Sequence, residues 1–75
     1  METTALNAYG DFQEVIGRIE GDQLTAYGQA MRQGKTTDAI ELRLQRLNLI
    51  RKAAAYWSPE GIQKATIYLK LFANV

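Results

Sequence analysis

The side chains that carry most enzymatic chemistry are scarce in this chain. It has no histidine, no cysteine and a single serine, Ser58. The usual general base, the thiol nucleophile and the common nitrogen and sulfur metal ligands are therefore missing. Without cysteine there is no disulfide, and nothing points to a redox compartment. Ser58 is followed by Pro59 and Glu60, which gives it another task. Serine caps a helix, proline fits the first helical position, and glutamate complements the positive helix end. Gly61 stands where a full capping box wants glutamate, so the box is incomplete. Glu14, Glu20, Asp22, Glu41 and Glu60 read as solvated helix residues or caps rather than a paired acid and base. Gly34-Lys35-Thr36 matches only the tail of a phosphate loop, lacking the earlier glycine and a preceding strand. No catalytic residue, cofactor, metal or small-molecule substrate is expected.

Glycine spacing is more informative. Gly10, Gly17, Gly21 and Gly28 are separated by seven, four and seven residues. At 3.6 residues per turn they fall within roughly 40° of one another on a helix. Each helical glycine costs about 1 kcal/mol relative to alanine. A stripe without side chains would let another backbone or an aromatic ring approach closely. The plainer alternative is that some of these glycines end helices, with Gly21-Asp22 as a turn and Asp22 as a new N-cap.

The elements that must position these residues read as helical throughout, with no convincing period of two. A first helix is expected over about 4–32, unless it breaks at 21–22. Ala5, Ala8, Phe12, Val15, Ile16 and Ile19 make its apolar face, extended by Ala26 and Ala30. The glycine stripe lies opposite, edged by Leu6, Leu24 and Tyr27. Asp11 with Glu14 also reads as a capping box that would start the helix later. Gly34 suits a left-handed C′ position, and Thr37 with Asp38 starts the next helix.

That second helix is expected over 38–57. Ile40, Leu44, Leu47, Ala54 and Trp57 form its seam, with Ile50 at the edge. Leu42, Leu49, Ala53 and Tyr56 form a stripe on nearly the opposite side. The third helix, over 59–73, places Ile62, Ala65, Leu69 and Phe72 on one side and Ile67 and Leu71 on the other. A helix apolar on two sides is central in a bundle or sandwiched at an interface. The expected fold is a small all-α bundle of three helices, or four with the break, forming one domain over 1–75.

Seventy-five residues lie near the lower limit for a self-sufficient core. A hydrophobic content of 47% with net charge +1 argues against disorder. The charges divide unevenly: residues 1–34 hold two arginines against five carboxylates, and residues 35–75 hold seven cations against three. Such a dipole can steer association, or it can close within one molecule as the two halves fold together. No leader, lipidation signal or membrane-length apolar run is read from the chain, so a cytoplasmic protein is expected.

Surplus apolar surface points to a non-enzymatic interaction module. It would work by homo-oligomeric assembly or by docking on a larger protein, as adaptor, inhibitor or structural subunit. Contacts not related by a closing symmetry would generate a filament. The candidate interface comprises Gly10, Gly17, Gly21, Gly28, Leu24, Tyr27, Leu42, Leu49, Tyr56, Ile67 and Leu71. Tyr9, Trp57 and Tyr68 are further aromatics suited to a hot spot or to a core edge; Trp57 continues the seam and reads as core.

The alternative is a small DNA-binding regulator using Arg43, Arg46 and Lys52 of the middle helix. Those cations do not share one face, and the helix after Ser58 offers only Gln63, Lys64, Thr66 and Lys70 as polar readers. Overall charge is also far from a strongly basic footprint.

Overall fold

The computed structural model of the chain describes the backbone of residues 2–73 and the side chains of residues 7–73. Three helices follow one another: α1 (Glu2–Arg32), α2 (Asp38–Ala54) and α3 (Pro59–Ala73). The expectations for the side chains of Ala5 and Leu6 lie outside the described residues. α1 is continuous through Gly21 and Asp22, so the four-helix alternative is corrected. The helical ladder bridges Gly21, and the Thr25 hydroxyl donates to the Gly21 carbonyl at 3.0 Å. The later start at Asp11 is corrected as well. Asp11 instead faces the Lys70 ammonium at 3.6 Å, and Glu14 pairs with Arg18 one turn on at 3.3 Å.

Gly34 closes α1 as expected, with φ of +68°. The Lys35 N–H donates to the Ala30 carbonyl at 2.9 Å and the Gly34 N–H to Met31 at 3.1 Å. That pair of bonds is a Schellman motif, which needs a residue tolerant of the left-handed region. Thr37 precedes α2, but its hydroxyl donates to the Glu41 carboxylate at 2.8 Å rather than capping the backbone.

α2 ends at Ala54, short of the expected residue 57. The N–H groups of Tyr56 and Trp57 turn to the carbonyls three residues back, Ala53 and Ala54. Pro59 supplies the cause: it disfavours helical backbone at Ser58 and offers no N–H of its own. The Ser58 cap forms as read from the sequence, its Oγ accepting from the Gly61 N–H at 3.2 Å.

α2 runs back along α1, bringing Arg51 to Glu20 and Trp57 to Phe12. α3 reverses again and sets Leu69 and Ala73 near Ile19 of α1, with Leu47 and Ile50 of α2 across the gap. Both α2 and α3 pack on α1 and make little contact with each other. The core combines Ala8, Phe12, Val15 and Ile16 with Leu47 and Ala54 from α2 and Ile62 and Leu69 from α3. Phe12 and Ile16 are fully enclosed. The Phe12 ring lies 6.2 Å from Trp57, edge to face, and 6.5 Å from Tyr9. Trp57 is not the core residue expected. It stands at the rim, partly exposed just beyond the end of α2, with its ring steeply inclined to that of Phe12.

The molecule measures 49 × 20 × 16 Å with a radius of gyration of 14.0 Å. A compact chain of this length would have a radius of gyration of about 11 Å, so the shape is elongated. α1 is longer than either partner, and α3 ends at Ala73 beside Val15 and Ile19, well before α1 does. No residue from Glu20 to Arg46 is fully buried. The fold is thus a three-helix body bearing a two-helix arm.

Candidate interaction surface

Each helix keeps an apolar or open row on the side turned away from its packing partner. On α2, Leu47 and Ala54 face α1, while Leu42 and Leu49 project outward and stay 47% and 64% exposed. Tyr56, just past the helix end, is 91% exposed. The spacing of seven puts Leu42 and Leu49 on one face at 3.6 residues per turn. On α3, Ile67 and Leu71 likewise turn away from the core, each 59% exposed. Tyr68 is also exposed beside them.

Along α1, Gly10, Gly17 and Gly21 are exposed and Gly28 is half-buried. A Cβ on any of the four would meet no atom of the described residues within 4 Å. Among the described residues nothing approaches the stripe closely; it lies opposite Phe12 and Val15 on α1. Leu24 is exposed beside it, whereas Tyr27 is half-buried.

The candidate residues therefore lie on the outward faces of three helices. The glycine stripe lies on the far side of the molecule from the Leu42–Leu49 row, because α1 packs between them.

Charge is closed partly within the molecule. Asp11 with Lys70 and Glu20 with Arg51 join the acidic first half to the basic second half. The Arg51–Glu20 bond, at 2.9 Å and only one-third exposed, is the better shielded of the two. The hydrogen bond to Glu20 holds the Arg51 guanidinium above its ordinary pKa, against a smaller opposing effect of burial. Arg51 is thus committed to its own fold. Among the described residues Arg43, Arg46 and Lys52 have no ion-pair partner, but they do not converge. Arg43 and Arg46 line one side of α2, and Lys52 leaves the other.

Two residues of α3 lie where the sequence reading does not put them, and one surface is absent from that reading. Thr66, a candidate polar reader on the third helix, is buried and donates its hydroxyl to the Ile62 carbonyl at 2.8 Å. Phe72, assigned to the core side of that helix, is 76% exposed. It overhangs an open trough of about 700 Å³ between α2 and α3, floored by Ile19 and walled by Ile50, Arg43 and Arg46. The Gln23 Oε1 atom is buried at this trough with no hydrogen-bond partner among the described residues. A sequence reading has no access to the gap because it arises from α2 and α3 splaying apart. The only local signal was the pair Arg43 and Arg46 beside Ile50.

Among the described residues no three carboxylates come together as a metal site, and no helix is long and apolar enough to cross a membrane. Comparison of the chain with protein-family models, curated proteins and solved structures gives no match.

Proposed function

We propose that this chain is a non-enzymatic helical interaction module that works by association, with copies of itself or with a larger protein. The observation that carries the reading is the outward pair Leu42 and Leu49, exposed on the face of α2 opposite its packing seam, with Tyr56 exposed just past the helix end. Large apolar side chains scattered singly are ordinary on a surface. A row at helical spacing, repeated by Ile67 and Leu71 on the next helix, is the pattern of a helix that packs on two sides. The two-helix arm supports the same reading. With no fully buried residue between Glu20 and Arg46, it gains most from a neighbour that covers it. The open glycine stripe on the opposite side gives the protomer a second face, the requirement for assembly beyond a pair.

Light scattering behind size exclusion, over a concentration series, tests the self-association branch. The expected result is a mass that rises above the 8.4 kDa protomer with concentration. A mass fixed at one protomer up to millimolar concentration refutes that branch and leaves docking on another protein. The docking branch then fails if Leu42→Glu with Leu49→Glu leaves every association of the chain in its native host unchanged.

A further inference from the structure

α2 is complementary to itself. Its first turn carries Asp38 and Glu41, and its last turn carries Arg51 and Lys52. Between these ends the outward face holds Leu42 and Leu49. Two copies laid antiparallel, about a two-fold axis between residues 45 and 46, set Leu42 of each against Leu49 of the other. The same operation brings Lys52 of one copy to the Asp38–Glu41 end of its mate, along one shared flank. Asp38 and Lys52 have no ion-pair partner in their own chain among the described residues. Antiparallel helix dipoles favour the arrangement. Parallel pairing would instead align like charges at both ends. Charge thus selects the antiparallel register, and the leucines fix it.

We propose that the outward face of α2 is a homodimer interface, in which a second copy packs antiparallel with Leu42 on Leu49 and Lys52 on the Asp38–Glu41 end. The proposal deepens the self-association reading and rests on it. Tyr56 lies beyond the central contact at each end. Arg46 occupies the opposite flank and meets its own symmetry mate near the axis, the one unfavourable pair in the arrangement. A contact confined to a helix of about 25 Å is small for a stable interface, so dissociation in the micromolar range is expected.

The absence of native cysteine allows a direct map. Gln45→Cys places a thiol beside the axis, whereas Tyr56→Cys places it about 30 Å along the pair from its mate. Under mild oxidation Gln45→Cys should form disulfide-linked dimers and Tyr56→Cys should stay monomeric. In sedimentation equilibrium, Leu49→Glu should raise Kd about a hundredfold, since two leucines leave the interface. Lys52→Glu should weaken association, and adding Asp38→Lys and Glu41→Lys should restore it. Arg46→Gln should tighten it. All are surface positions, and far-UV circular dichroism checks that each variant remains folded.

Efficient cross-linking of Tyr56→Cys overturns the antiparallel register. Association unchanged by Leu49→Glu, yet abolished by Gly17→Leu, overturns the α2 interface and keeps assembly through the glycine face. A wild-type chain that stays monomeric at millimolar concentration overturns both the interface and homo-oligomeric assembly.

Discussion

Replacing the stripe glycines with alanine separates their two readings by sign. Gly17 and Gly21 lie in the interior of α1 with helical backbone, and a Cβ at either meets nothing within 4 Å. Neither strain nor new burial accompanies the added methyl group. What remains is the intrinsic propensity difference, about 1 kcal/mol per site in favour of alanine. Helix propensities sum along a helix to first order, and methyl groups one turn apart do not clash, so the pair should gain about 2 kcal/mol. For a domain of this size each kcal/mol moves the melting temperature by about 4–8 °C, giving a rise of about 8–16 °C for the double variant. Thermal unfolding followed by far-UV circular dichroism, at concentrations where the chain is monomeric, reads this directly. Gly34→Ala supplies the opposite sign. With φ at +68°, alanine there should lose about 1–2 kcal/mol. A Gly17→Ala, Gly21→Ala chain that melts no higher than the parent refutes the reasoning. If the same pair raises the melting temperature but weakens association, the stripe is kept bare for a neighbour.

The core and the caps give further expectations. Phe12→Ala removes the fully enclosed ring at the centre of the body and should cost about 3–5 kcal/mol in urea unfolding, much of the stability of so small a domain. Thr66→Val should be nearly neutral in the same assay, because the Ile62 carbonyl keeps its helical partner when the hydroxyl is lost. Ser58→Ala removes the acceptor for the Gly61 N–H and should lower stability by about 1 kcal/mol. The pH dependence of Arg51 follows from its raised pKa. A cation whose pKa is higher folded than unfolded contributes fully below its unfolded value and loses that contribution only as pH rises through the folded one. Comparing parent and Arg51→Met by urea unfolding should therefore show no pH dependence from Arg51 near neutrality, with a change only in strong alkali.

Helical periodicity made much of this architecture legible. Phe12, Val15 and Ile16 share a face at helical spacing and are buried together; Leu42, Leu49 and Leu71 fall opposite the seams of their helices and are exposed. Ser58-Pro59 and Gly34 were readable because each has a local backbone requirement that few other residues meet. The errors arose where tertiary geometry overrides the local pattern. Phe72 has the phase of a core residue, but α3 ends over a gap that α2 does not close. Thr66 is polar, yet its hydroxyl bonds within its own helix and so can be buried. Gly21 could end a helix in isolation, but α1 runs on through it, with half-buried Ile19 before it and half-buried Gln23 after it. The glycine stripe was visible as a pattern, but which molecule it meets depends on surfaces outside the chain.

The uneven division between body and arm has a dynamic consequence. Segments with few buried contacts open at a fraction of the global unfolding free energy, so amide hydrogens in the hairpin around Gly34 should exchange well before those near Phe12. A neighbour that clasps this end must first quench its excursions, and that ordering subtracts from the measured affinity while leaving the contact area unaltered. Partner binding should accordingly be recorded as slowed exchange far from Phe12, with the central helices scarcely disturbed.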